Sequence, residues 1–233
     1  MSGKEITSGG VAAEVSAFVD RLRNLPRPRP DQPGGRLVFA LDATASREPT
    51  WDLASDVQDE MFLEAGRVGG LQVQLVYYRG FGECRASTWV RDGRELVRLM
   101  RGVRCVAGRT QIARVLRHAA NEARRQPLPA LVFVGDCVEE KVDELGQLAG
   151  ELGLLGTRAF LFHEGRDASA AQAFRHIAEL TRGACFPFTA GSAAQLRALL
   201  GGVAAYAAGG RAALAALARR SGGVVELLEH QLG

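Results

Sequence analysis

The chain has 233 residues, 47% of them hydrophobic and 24% charged, with a formal net charge of +3. That length fits one α/β domain with a tail, or at most two small domains, and the composition is that of a soluble globular chain with a core of useful size. Basic and acidic residues are interleaved rather than blocked, so there is no nucleic-acid footprint.

The opening MSGKEITSGG lacks the charged-then-apolar pattern of a secretory signal, and no apolar run approaches the roughly 20 residues needed to cross a bilayer. A cytoplasmic protein is expected. Cys84, Cys105, Cys137 and Cys185 are scattered without a C-x-x-C pair. In a reducing compartment they read as small buried hydrophobes.

Val11, Val15, Phe18 and Leu22 recur at helical spacing, predicting an amphipathic helix over Val11 to Leu25. The Pro/Arg run of residues 26–30 and the Pro-Gly-Gly of 33–35 read as a linker. The expected organisation is therefore 1–35 as helix and linker, 36–208 as the main domain and 209–233 as a helical tail. Leu37 to Leu41 is a short continuous apolar run, as in a strand covered on both faces, and it ends at Asp42. A helix follows from about Pro49, with Trp51, Ala54, Val57, Met61, Phe62 and Ala65 on one face. Leu71 to Tyr78 alternates as a strand. Gly80-Phe81-Gly82 then turns the chain into a second short strand placed at Ala86 to Val90, an antiparallel edge.

A helix over Arg94 to Arg101 leads to Cys105 and the loop Val106 to Thr110. Ile112, Val115, Leu116 and Ala119 mark the next helix, and Ala130 to Val134 is the second fully apolar strand, ending at Gly135-Asp136. Further helices are expected at Glu139 to Leu152, Ala170 to Thr181 and Ser192 to Ala208, with strands at Arg158 to Phe162 and Ala184 to Phe188. The alternation implies an α/β fold: a doubly wound, mostly parallel sheet with an antiparallel edge strand and helices on both faces. Ligands of such sheets bind beyond the carboxyl ends of the strands, where the topology switches.

Two polar clusters fall at such positions. Asp42-Ala-Thr44-Ala-Ser46 directly follows the first apolar strand and Asp136 follows the other, while Thr110 opens the helix between them. Two carboxylates and three hydroxyls suit a hard cation such as Mg²⁺, which takes oxygen ligands and keeps several waters. Singly, each residue is an ordinary helix cap or turn former; it is the combination that points to a metal.

In that order and context the five residues resemble the metal-ion-dependent adhesion site (MIDAS) of von Willebrand factor A (VWA) domains, over about Arg36 to Ala208. The resemblance implies a Rossmann-like VWA fold and a bound Mg²⁺, Mn²⁺ or Ca²⁺. Thr44 and Ser46 would bind through their hydroxyls, Thr110 directly when the site is engaged, and Asp42 and Asp136 mostly through ordered waters. It further implies protein–protein recognition without catalysis, with an open coordination position for an acidic residue of a partner. Bacterial intracellular relatives make an AAA+ ATPase a candidate partner. The chain departs from the family pattern at Thr44, where Ser is commoner, and at Gly135-Asp136-Cys137, where Ser/Thr-Asp-Gly is usual.

A second reading comes from Asp42 together with Gly135-Asp136 and Glu140, which resemble haloacid dehalogenase-type phosphatases, with Asp42 as nucleophile beside Mg²⁺. That chemistry needs an acid where the chain has Thr44, and a Lys before the second Asp where the chain has Lys141 after it. A third reading is a metal-free interaction scaffold. His118 is expected on the polar side of its helix and His176 within another. His163-Glu164 is expected at the functional rim, with His163 titrating near neutral pH if exposed. Glu83 and Arg85 read either as partner contacts or, more simply, as charges protecting an edge strand.

Overall fold

The computed structural model describes residues 35–51, 71–188 and 207. The expected N-terminal helix and linker, the helices placed at 51–65 and 192–208, and the C-terminal tail lie almost wholly outside these residues. Six strands form one sheet in the order β3-β2-β1-β4-β5-β6. They are β1 (Arg36–Asp42), β2 (Gln72–Arg79), β3 (Glu83–Ala86), β4 (Ala130–Gly135), β5 (Arg158–Glu164) and β6 (Ala184–Phe188). β2 and β3 pair antiparallel; every other pair is parallel. Four α-helices are described: α1 (Gly93–Arg101), α2 (Ile112–Arg125), α3 (Val142–Leu154) and α4 (Ala168–Leu180).

The period-2 geometry of β1 explains why every one of its residues is apolar or otherwise buried. Leu37, Phe39 and Leu41 enter one core together with Leu96 and Met100 of α1. Val38 and Ala40 enter the other, among Ile112, Val115, Leu116 and Ala119 of α2, Leu145 of α3 and Phe174 of α4. A strand covered on both faces must be apolar throughout. Asp42, like Arg36 at the opposite end, departs from this pattern: it ends β1 at 0% exposure.

β1 is also where the winding reverses. The chain moves from β1 to β2 and β3 on one side, then returns to place β4 on the other. Leu41 pairs with Val134, so Asp42 and Asp136 leave the sheet side by side at this switch point.

Some boundaries differ from the sequence reading. The edge strand is Glu83–Ala86 rather than Ala86 to Val90, because the Gly80–Gly82 turn is tight enough for pairing to begin at once; Val90 only bridges Val73. Helix α3 begins at Val142 rather than Glu139, since Glu139 and Glu140 bond to the segment that opens α2. His118 is half-buried, its Nε2 lying 2.8 Å from Oε1 of Gln74, so it belongs to the packing of α2 on β2 and not to the solvent side. The cysteines are only partly buried, although burial still pushes the Cys105 thiol up to about 11.

Phe133 underlies the site end of the sheet, stacked 6.2 Å from Tyr78 and edge-on at 5.4 Å to Phe174. Phe133→Ala is expected to cost about 3–5 kcal/mol, read from urea denaturation midpoints at unchanged slope.

Candidate metal centre

Asp42 is fixed by three separate contacts. Its Oδ1 accepts the Thr44 backbone N–H at 2.8 Å and its Oδ2 accepts the Tyr78 hydroxyl at 2.8 Å. Tyr78 is the residue that pairs with Asp42 across β1 and β2, which places the phenol on the same face as the carboxylate. The Asp42 carbonyl accepts from Nη1 of Arg47 at 2.8 Å. Burial raises the Asp42 carboxyl above its ordinary range, the Thr44 and Tyr78 hydrogen bonds pull it back down, and neighbouring Asp136 pushes it up again. Tyr78, wholly buried, is held protonated well above its usual range and stays a donor.

Thr44 is the N-cap of a 3₁₀ turn, Ala45–Thr50, yet its side chain makes no capping hydrogen bond. Its Oγ1 instead lies 3.0 Å from Oγ of Ser46. Thr110 precedes α2 and does not cap it either. Its N–H donates to the Glu139 carboxylate at 2.9 Å, while its Oγ1 accepts the Glu139 N–H at 3.0 Å. Glu140 caps α2 from outside, accepting from Ile112 and Ala113 N–H at 3.0 and 2.8 Å. The hydroxyls are thus released from the capping duty that would be their ordinary role.

The loop that delivers Thr110 rests on the β2–β3 turn. Arg109 N–H donates to the Gly80 carbonyl at 3.1 Å, and a Cβ on Gly108 would fall 2.0 Å from that same oxygen. Only glycine permits this approach.

Asp136 completes the group from β4. Its Oδ1 is buried and, among the described residues, has no hydrogen-bond partner. Asp42, Thr44 and Ser46 therefore share one loop and touch, Asp136 lies within electrostatic reach of Asp42, and Thr110 is tied to the segment just past Asp136 through Glu139. Among the described residues no group of three or more His, Cys, Asp or Glu is placed to hold a metal. A cation here would depend on the hydroxyls as well as the two carboxylates.

No protein-family model matches the sequence, and no curated protein matches it. Solved structures do match the fold. A von Willebrand factor type A protein from Catenulispora acidiphila superposes with a TM-score of 0.61 at 14% identity, over 74% of this chain and 43% of that one. The SpRpn10 VWA domain gives 0.59 at 12% identity, over 71% of this chain and 95% of that one. The open form of the pilus adhesin SpaC from Lactobacillus rhamnosus GG gives 0.60 at 10% identity, over 76% of this chain and 30% of that one.

The chain has the von Willebrand factor A fold.

Within this VWA fold, several residues that shape the rim were not evident from sequence. Arg47 follows Ser46 and is fully buried. Its Nε lies 2.7 Å from the Glu164 carboxylate, and its guanidinium stands 5.5 Å from the centre of the Trp51 ring. It joins the Asp42 loop to the end of β5. Tyr78 was legible only as a strand residue, although a buried Tyr needs a hydroxyl partner and Asp42 ends the next strand. Nothing distinguishes Arg47 in sequence from the other arginines.

His163 corrects a second expectation. It is 6% exposed, packed edge-on to Phe174 at 5.5 Å. Burial lowers its pKa, against raising contributions from Asp136 and Asp167, so it is a buried neighbour of Asp136 rather than an exposed rim group.

Removing Arg47 leaves a buried carboxylate without its cation. Arg47→Met is expected to cost about 3–5 kcal/mol in urea unfolding, and adding Glu164→Gln should recover part of it. Simple additivity of the two substitutions would show that the pair does not hold the loop.

Proposed function

We propose that this domain is a protein–protein recognition module that holds a divalent cation, Mg²⁺, Mn²⁺ or Ca²⁺, among Asp42, Thr44, Ser46, Thr110 and Asp136. The observation that carries the reading is the buried Asp136 oxygen, which has no partner among the described residues, beside a second carboxylate that is itself buried. Two such carboxylates repel each other, and a buried polar atom without a partner is costly. A hard cation relieves both, and the residues present fit one: two carboxylates offer about two negative charges, and the Thr44 and Ser46 hydroxyls, 3.0 Å apart, are not used as caps.

When bound, the ion would supply an electrophilic position for a carboxylate of the partner. The chain's own residues set that position. Tyr78 orients Asp42, Arg47 fixes the Asp42 carbonyl and the loop behind it, and Glu139 steadies Thr110. Among the fold neighbours, one is described as a pilus adhesin, which favours binding over turnover as the use of this rim. An AAA+ ATPase bearing a surface acidic residue belongs to the same reading as a candidate partner.

The phosphatase reading finds less support. Both oxygens of Glu140 accept helix N–H groups, which leaves it no role at a phosphate. Asp42, with each oxygen hydrogen-bonded and the side chain fully buried, is badly placed to attack one.

Calorimetric titration of the full chain with MnCl₂ or MgCl₂ tests the reading. Binding is expected for the wild type, with loss in Thr44→Val and Asp136→Ala. Tyr78→Phe, which removes only the donor that orients Asp42, should weaken binding by about 10- to 100-fold. Absence of binding at millimolar ion would contradict the proposal and favour a metal-free scaffold.

A further inference from the structure

Phe81, at the tip of the β2–β3 turn, is 81% exposed. An aromatic ring displayed this openly on a tight turn buries nothing within the domain. Val106, 43% exposed, adjoins the tip: its carbonyl accepts the Gly80 N–H, and its own N–H donates 3.0 Å to the carbonyl of Ala43, the residue after Asp42. The turn is thus joined by backbone hydrogen bonds to the loop of the candidate metal centre.

The turn that carries the ring also carries positive charge. Arg79 and Arg85 share one carboxylate, Glu83. Arg114 donates to the Gly82 carbonyl at 2.6 Å, a contact that cancels no charge. Arg109, next to Gly108, is exposed, and its backbone N–H is bonded to Gly80. Arginines on this turn and bonded to it, two of them sharing one carboxylate, complement a segment of opposite charge that brings an apolar side chain.

We propose that the β2–β3 tip, with Phe81 as anchor and Arg85, Arg109 and Arg114 around it, docks an acidic segment of a partner protein carrying an aromatic or aliphatic residue. This rests on the reading of the rim as a protein-recognition surface and adds a second, metal-independent contact to it. An aromatic side chain with arginines beside it is the composition of interface hot spots. The tip is also held rigid: Gln111 Nε2 donates to the carbonyls of Arg79 and Gly80 at 3.2 Å each, so little ordering is required on binding. A membrane is the poorer match, because two exposed apolar side chains provide much less buried area than an interfacial anchor.

The test is selection of a random dodecapeptide phage library on the full chain in MgCl₂, followed by affinity measurement of the enriched peptides. Enriched sequences are expected to combine Asp or Glu with Phe, Tyr, Trp or Leu. Phe81→Ser and the double variant Arg109→Glu, Arg114→Glu should each weaken them by at least about tenfold. Both changes lie on the surface, and Mn²⁺ titration of Phe81→Ser, which alters no charge, should be unchanged. No enrichment, enrichment without acidic residues, or indifference to both variants would overturn the proposal. So would Phe81-dependent self-association in sedimentation, or Phe81-dependent binding to phosphatidylserine vesicles. Chelator separates the two readings. Peptide binding that survives EDTA but is lost in Phe81→Ser is the result expected of a metal-independent tip, and if the same chain binds no Mn²⁺ the metal reading falls while the docking surface stands. Normal Mn²⁺ binding with indifference to Phe81 removes the docking surface alone.

Discussion

Two carboxylates at the ends of neighbouring strands set the terms for everything around them. The parallel register of β1 with β4 brings Asp42 and Asp136 to the switch point of the sheet, where one is fully buried and the other has a buried oxygen without a partner among the described residues. Burial and mutual repulsion both oppose keeping two negative charges there. The sheet cannot relieve this by sliding, because a one-residue shift would exchange the Leu37, Phe39 and Leu41 face of β1 with the Val38 and Ala40 face and misfit both cores.

The surroundings answer this constraint with fixed dipoles and one buried cation. The Tyr78 hydroxyl and Thr44 N–H are aimed at Asp42, and Arg47 holds the Asp42 carbonyl while pairing with Glu164. Glu139 and Glu140, just past Asp136, grip the start of α2 from outside, tying Thr110 to the β4 side of the rim. These contacts stabilise the frame of the site, and none among the described residues satisfies the Asp136 Oδ1. A bound divalent ion is the proposed completion. The outward-facing Phe81 and its arginines extend the same rim away from the ion.

The fold was legible because continuous apolar runs and alternating patterns are direct consequences of burial on two faces or one. Leu37 to Leu41 and Ala130 to Val134 announced central strands, and the residue after each pointed to the switch point. Asp42, Thr44, Ser46 and Asp136 could be singled out because polar residues just after buried strands are conspicuous, and Thr110 because it sits in a Gly-containing loop that opens a helix. What stayed hidden depends on long-range geometry. Arg47 meets Glu164 across 117 positions and Tyr78 meets Asp42 across 36, and no local pattern encodes either pairing. The burial of His163 was missed because its strand runs two residues further than the apolar run suggested. Glu139 was read as the start of a helix, since an acidic residue in a first turn is the commoner arrangement.

The most direct measurement is anomalous diffraction from crystals of the full chain soaked in MnCl₂. The account predicts a manganese peak bounded by Asp42, Thr44, Ser46, Thr110 and Asp136, with Asp136 Oδ1 turned toward the ion or one of its waters. A well-ordered site without manganese, its Asp136 oxygen satisfied by a protein group, would contradict it.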